Sequence, residues 1–225
     1  MNIAREKLIA PSILAADILN LQRDVAAVVS AGAEILHIDV MDGGFVHAIT
    51  FGDNVVRALR KSVDIMLDVH LMIENPQEHI EAFASAGADV ITVQYEAVAD
   101  FDKMVAISKE IRGFGAKAGI SINPQTTVDE IAGLVEFFDL VLIMTVVAGF
   151  GGQKYIDACT AKISEVVKLA KDVPHELAIQ VDGGIYAENI HIPLNAGANI
   201  FVAGSAVFGA NDIGRAFAEL EERVK

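Results

Sequence analysis

Six short apolar runs in this chain carry polar side chains at alternate positions, and in each run those polar residues fall toward the C-terminal end. Successive side chains on a β-strand point to opposite faces, so residues two apart share a face. Residues 36–42 set His37 and Asp39 opposite Leu36, Ile38 and Val40. Residues 66–72 set Asp68 and His70 opposite Leu67, Val69 and Leu71, and residues 178–182 set Gln180 and Asp182 opposite Ile179 and Val181. Ser12 closes a run over 8–12, Thr92 and Gln94 share a face over 90–94, and Ser121 and Asn123 share one over 119–123. An imidazole or carboxylate on a buried face is costly unless it finds a partner. A single case could be met by a local hydrogen bond. Six strands with the same bias require a fold that gathers their C-terminal ends around one centre.

The segments between these runs repeat apolar residues at helical spacing. Strands are expected over 8–12, 35–40, 65–72, 90–94, 117–122, 140–144, 178–181 and 200–202. Helices are expected over 18–31, 53–61 with Asp53 as its cap, from Asn75-Pro76 to near Gly87, over 101–112, 127–135 and 156–171, around 189–195, and from Asn211 onward. The phrase Ala-Gly-Ala recurs at 31–33, 86–88 and 196–198, each time between a helix and the next strand, as if one turn chemistry were reused. Eight strand–helix units with no linker between them predict an α/β chain folded as one (β/α)8 TIM barrel domain over residues 1–225. A doubly wound open sheet is the structural alternative, but it would not make strands from the whole length of the chain converge.

The net charge of −14 argues against a nucleic-acid partner, because phosphate backbones are bound through positive patches. No apolar run approaches the ~20 residues needed to span a bilayer, so no membrane partner is expected. The start of the chain does not read as a signal peptide, and the single cysteine, Cys159, suits a reducing compartment, so the expected location is cytoplasmic. Cys159 itself reads as a helix-start or core residue.

Two imidazoles and two carboxylates, His37, Asp39, His70 and Asp182, match the ligand preferences of one divalent ion, Zn²⁺, Fe²⁺ or Mn²⁺. Asp68 reads as a structural partner of this set rather than a ligand. Three glycine-rich turns follow the last three strands: Gly149-Phe150-Gly151-Gly152, Gly183-Gly184 and Gly204-Ser205. In barrels the loops after strands seven and eight commonly bind phosphate, and glycine lets backbone N–H groups approach closely. A small anion can be held this way despite an acidic chain. Lys154 reads as a solvated lysine.

The sequence resembles the ribulose-phosphate 3-epimerase family nearly end to end. The resemblance is carried by Ala10-Pro11-Ser12-Ile13-Leu14, His37-Ile38-Asp39-Val40-Met41-Asp42, Asp68-Val69-His70-Leu71-Met72 and Met144-Thr145-Val146, and by 149–153, 181–184 and 202–205. It implies a divalent metal held by His37, Asp39, His70 and Asp182, with Asp39 and Asp182 also carrying the proton chemistry. It implies that Ser12 contacts substrate, that the late glycine turns and Ser205 bind its phosphate, and that Met41, Met72 and Met144 line the pocket. The implied partner is a small sugar phosphate, and the implied assembly is a homo-oligomer, a dimer or a hexamer. Inverting a carbon beside a ketone means removing its proton from one face and adding one to the other through an enediolate, work that two carboxylates can share.

The chain departs from the family pattern at Gly44, at His47-Ala48 where Pro-Asn is usual, at Gln94 where His is usual, and at Val147-Ala148 where Asn-Pro is usual. These residues are expected on the active-site face, so the reaction class is better specified than the ketose phosphate. The expected activity is epimerisation of D-ribulose 5-phosphate to D-xylulose 5-phosphate. The alternatives are a 3-epimerase of another ketose phosphate, such as a hexulose 6-phosphate, and a non-catalytic sugar-phosphate-binding barrel. A Schiff-base lyase would need an inward lysine at a strand's C-terminal end, and Lys117 lies at the other end of its strand.

Overall fold

The computed structural model describes residues 2–225. Eight parallel strands form one sheet: β1 (Leu8–Pro11), β2 (Ile35–Met41), β3 (Met66–Met72), β4 (Val90–Gln94), β5 (Lys117–Ile122), β6 (Leu140–Met144), β7 (Ala178–Asp182) and β8 (Ile200–Ala203). Each strand pairs with its sequence neighbours, β1 pairs with β8, and a parallel bridge between Ser12 and His37 joins β1 to β2. The ring so formed is the barrel expected from eight βα units. The strands are almost wholly buried, which suits a parallel sheet covered by helices on its outside and packed with side chains within.

The helices are α1 (Leu21–Ser30), α2 (Asp53–Arg60), α3 (Ile80–Ala86), α4 (Phe101–Gly113), α5 (Cys159–Leu169), α6 (His191–Ala196), α7 (Ser205–Phe208) and α8 (Ile213–Val224). Their apolar stripes meet the outward strand faces in the larger core, which includes Leu36, Ile38, Leu67, Val69, Ile120, Ile163 and Phe217. A smaller cluster, with Leu8, Ala10, Ile35, Leu142 and Ile200, fills the barrel interior. The three Ala-Gly-Ala phrases do reuse one turn. Gly32, Gly87 and Gly197 have φ of 106°, 108° and 108°, the left-handed value that ends a helix most easily at glycine.

Several helix expectations are corrected. No α-helix forms over 127–135. Thr127 and Glu130 make a capping box for a 3-10 turn at Val128–Glu130, and a second turn follows at Val135–Phe137. Gly133 stands between them, where a helix would be weakened. The helix expected from 156 begins instead at Cys159, because the Ile156 N–H donates to the Thr145 carbonyl (2.8 Å) and is held by the β6 loop. Gly52 takes the cap position of α2, while Asp53 lies inside the helix and pairs with Arg57 (2.7 Å). Asn75 does not cap by its side chain: it sits at φ 50° before a 3-10 turn at Pro76–Glu78, and α3 starts at Ile80. Residues 18–20 are likewise 3-10 before α1 begins. The last helix is capped by Asp212, one residue beyond the expected start. Helix α7 was not anticipated, being a single turn too short to show periodicity.

Strand register completes the placement of the polar groups. Across β2 and β3, His37 lies beside Asp68 and Asp39 beside His70. His70 lies beside Thr92 on β4, Gln94 beside Ser121 on β5, and Asp182 beside Met144 on β6. Lys117 is the first residue of β5, at the barrel end away from the site.

Candidate active site

Four side chains from three strands meet at the C-terminal mouth of the barrel. One ligand atom from each of His37, Asp39, His70 and Asp182 lies within 4.8 Å of the others, so the set could hold a metal ion. His37, Asp39 and His70 are buried, and Asp182 is partly exposed above them. His37 Nδ1 is 2.7 Å from Asp68 Oδ2, and Asp68 Oδ2 also accepts a 2.6 Å bond from Gln180 Nε2. A carboxylate there takes the Nδ1–H, so that Nε2, 3.2 Å from Asp39 Oδ1, is the ring nitrogen turned toward the other ligands. His70 Nδ1 lies 3.4 Å from the same oxygen and has no hydrogen-bond partner. Ser12 Oγ donates to Asp39 Oδ2 (2.6 Å). The donor set fits a divalent cation: two imidazole nitrogens and two carboxylates converge, and a buried ring nitrogen among them has nothing else to bind.

Like residue types are shifted in opposite directions here. Burial acts to raise the Asp39 carboxyl, but the charge and hydrogen bond of His37, with His70 adding to them, outweigh it and hold Asp39 well below the usual carboxylate range. Burial and the nearby Asp39 charge push Asp182 up to about 7. Burial would lower His37, but the charges of Asp39 and Asp68 raise it well above an ordinary imidazole. Burial lowers His70 despite Asp39. Two neighbouring carboxylates whose pKa values are pushed apart by their surroundings are suited to different proton-transfer roles.

A cleft opens over this cluster. Ser12, Asp39 and Asp182 form part of its floor, with Met41, Met72 and Met144 on its walls. All three glycine turns reach it: Gly149, Phe150, Gly151 and Gly152 from the loop after β6, Gly183 and Gly184 after β7, and Gly204 and Ser205 after β8. Gly149, Gly152, Gly183 and Gly184 have positive φ, and a Cβ on Gly184 would sit 2.3 Å from the Tyr155 backbone nitrogen, so glycine permits these turns to nest together. His37 and His70 lie beneath the cleft rather than on its wall. Of the departures, Val147 and Ala148 line the cleft and Gln94 is buried against His70. Gly44 and His47 are exposed in the loop after β2, where a Cβ on Gly44 would meet the Glu74 side chain at 2.9 Å. Lys154 is exposed, and Cys159 is both buried and the first residue of α5.

Sequence reasoning placed Asp68 as a partner of the ligand set, where it bonds His37, but missed the residues that hold Asp68 and the end of β7. Gln180 fixes Asp68, and its inward position in β7 was the available signal. Thr145 Oγ1 donates to the carbonyls of Asp182 (2.9 Å) and Gly183 (2.6 Å), tying the end of β7 to β6. Leu14, Ile185 and Tyr186 also line the cleft, and they lie outside the strands, where alternation gives no guide. Among the described residues no helix is long and apolar enough to cross a membrane.

Both the sequence and the fold have relatives among known proteins. The ribulose-phosphate 3 epimerase family model matches residues 8–208. The chain is 46% identical to a ribulose-phosphate 3-epimerase of Bacillus subtilis, over 94% of this chain and 97% of that one. It is 44% identical to a chloroplastic ribulose-5-phosphate-3-epimerase of Arabidopsis thaliana, over 93% of this chain and 74% of that one. Among solved structures, a 3-keto-L-gulonate-6-phosphate decarboxylase from Vibrio cholerae superposes with a TM-score of 0.72 at 19% identity, covering 97% of each chain. That last likeness is one of fold.

Proposed function

Since the chain belongs to the ribulose-phosphate 3-epimerase family and is an isomerase, we propose that it inverts C3 of D-ribulose 5-phosphate to give D-xylulose 5-phosphate, and the reverse. The observation that carries this reading is geometric: two carboxylates, Asp39 and Asp182, converge with His37 and His70 at the floor of the cleft into which the three glycine turns open. Asp39 takes the C3 proton, and the C–H electron pair moves into the C2 carbonyl to form an enediolate. Asp182 then gives its proton to the other face of C3 as the carbonyl re-forms. In the reverse direction the two exchange roles.

The surrounding residues bind and orient. Ser12, which holds Asp39 Oδ2, keeps the base turned into the cleft and contacts substrate. Backbone N–H groups of the turns at 149–152, 183–184 and 204–205 receive the phosphate, and the short helix α7 starts at Ser205. Met41, Met72 and Met144 pack against the sugar carbons and exclude water from the reacting face. A divalent cation held by His37, Asp39, His70 and Asp182, for which Zn²⁺, Fe²⁺ and Mn²⁺ all suit the donors, would supply positive charge beside the developing oxyanion. The same reading makes the protein a cytoplasmic homo-oligomer, dimer or hexamer, in pentose phosphate metabolism, with light scattering as the check on its size.

Val147 and Ala148 give part of the cleft wall an apolar surface, which keeps a hexulose 6-phosphate as the competing substrate. The test compares kcat/KM of metal-loaded enzyme on pentulose 5-phosphates and hexulose 6-phosphates. Highest turnover on ribulose 5-phosphate is expected, and Asp39→Asn and Asp182→Asn should each lower kcat by at least about 100-fold while leaving the fold intact. Binding with no turnover on any ketose phosphate would mean a sugar-phosphate-binding barrel instead.

A further inference from the structure

Gln94 ends β4 fully buried, with its side-chain amide against His70. Its Nε2 lies 3.0 Å from His70 Nε2, while its own Oε1 has no hydrogen-bond partner. The other ring nitrogen of His70, Nδ1, faces Asp39 Oδ1 at 3.4 Å and is likewise unpartnered. A neutral imidazole carries one N–H. For Nδ1 to offer its lone pair to a cation, the proton must sit on Nε2, and the atom facing Nε2 must then be an acceptor. A half-turn of the amide exchanges its two ends and supplies that acceptor. The exchange gives the otherwise unpartnered Oε1 a hydrogen bond.

We propose that Gln94 is a positioning residue for the metal centre: its Oε1 accepts from His70 Nε2–H and so fixes the tautomer whose Nδ1 lone pair faces Asp39 and the ligand cluster. Asp68 performs the same service for the opposite nitrogen of His37. The two imidazoles, with ring centroids 5.7 Å apart, are thus presented through different atoms, His37 by Nε2 and His70 by Nδ1. The pairing of a ligand's second ring N–H with a fixed acceptor orients the ring and raises its basicity, and loss of such an acceptor typically weakens metal binding by about 10- to 100-fold. This inference rests on the proposed function, in that the cluster must bind a cation at all.

The test reads zinc binding rather than turnover. Zn²⁺ dissociation constants are measured by chelator competition for the wild type, Gln94→Met and Gln94→Glu, with unfolding midpoints of the metal-free proteins. Methionine keeps the length of glutamine but cannot accept from an imidazole N–H as an amide does. Gln94→Met should bind Zn²⁺ about 10- to 100-fold more weakly with a midpoint near that of the wild type. Gln94→Glu, which retains the acceptor, should bind within about threefold of the wild type or more tightly. Long-range ¹H–¹⁵N spectra of histidine-labelled, zinc-loaded wild type should show the His70 proton on Nε2. A Gln94→Met protein that binds as tightly as the wild type, or a zinc-loaded His70 protonated on Nδ1, overturns this inference alone. A wild type that binds no divalent cation overturns the metal reading, and this inference with it.

Discussion

Replacing Asp68 by asparagine separates charge from geometry at the imidazole of His37. Both bonds made by the Asp68 carboxylate converge on one oxygen: His37 Nδ1 at 2.7 Å and Gln180 Nε2 at 2.6 Å, both on Oδ2. The other oxygen, Oδ1, has no partner. An asparagine therefore keeps its carbonyl where both donors meet and sets its NH₂ where no bond existed, so only the negative charge is lost. A hydrogen bond to a charged group contributes about 1.5–3 kcal/mol and a neutral one about 1 kcal/mol. The difference, roughly 0.5–2 kcal/mol, is about 2- to 30-fold in the Zn²⁺ dissociation constant. The metal-free protein should unfold at nearly the wild-type temperature, because removing one buried charge offsets the weakened bond. Asp68→Ala, which removes the acceptor as well, should lose more affinity, up to about 100-fold. Chelator competition measures both. If Asp68→Asn and Asp68→Ala bind Zn²⁺ within twofold of the wild type, the reasoning that Asp68 acts through His37 is refuted.

Three further outcomes follow from the structure. Asp182 binds its proton up to about pH 7 when folded but only to about 3.8 in an ordinary carboxyl, so the folded state holds more protons across that window and the group's contribution to stability falls as pH rises through it. Metal-free wild type should thus lose melting temperature between pH 5 and pH 8 relative to Asp182→Asn, and parallel curves would contradict the raised pKa. Gly119→Ala should destabilise by about 1–3 kcal/mol in denaturant titration, because its Cβ would lie 2.2 Å from Thr92 Oγ1 and 3.2 Å from Leu140 Cδ2 inside the barrel. Gly184→Ala forces a Cβ against the Tyr155 backbone from a φ of 68°. The KM for the sugar phosphate should rise about tenfold, equivalent to ~1.4 kcal/mol, and an unchanged KM would remove the β7 turn from the phosphate site.

What was legible in the sequence was whatever the two-residue period of strands controls. His37, Asp39, His70, Gln180 and Asp182 had to share the inward face once 36–42, 66–72 and 178–182 were read as strands, and the register then sets Asp39 beside His70. The Ala-Gly-Ala turns were legible because a left-handed helix terminus favours glycine. Helix starts were not, because competing contacts decide them: Ile156 is drawn into the β6 loop, and Gly52 rather than Asp53 takes the cap of α2. Nor could spacing distinguish Asp39 from Asp182. They are the same residue type, and their opposite shifts arise from their surroundings: the imidazoles of His37 and His70 hold Asp39 down, while burial and the Asp39 charge push Asp182 up. The partners of Asp68 and His70 had the right parity, but the particular atoms that meet depend on side-chain reach across the barrel.

The proposed epimerisation requires proton exchange at C3 between two carboxylates and a ketose phosphate. Incubating the zinc-loaded enzyme with ribulose 5-phosphate in deuterated water and reading C3 by NMR tests it most directly. Deuterium should appear at C3 of the xylulose 5-phosphate formed, and neither Asp39→Asn nor Asp182→Asn should support its formation at a comparable rate. Product carrying its original hydrogen at C3, or metal-loaded wild type that exchanges nothing, would contradict the account.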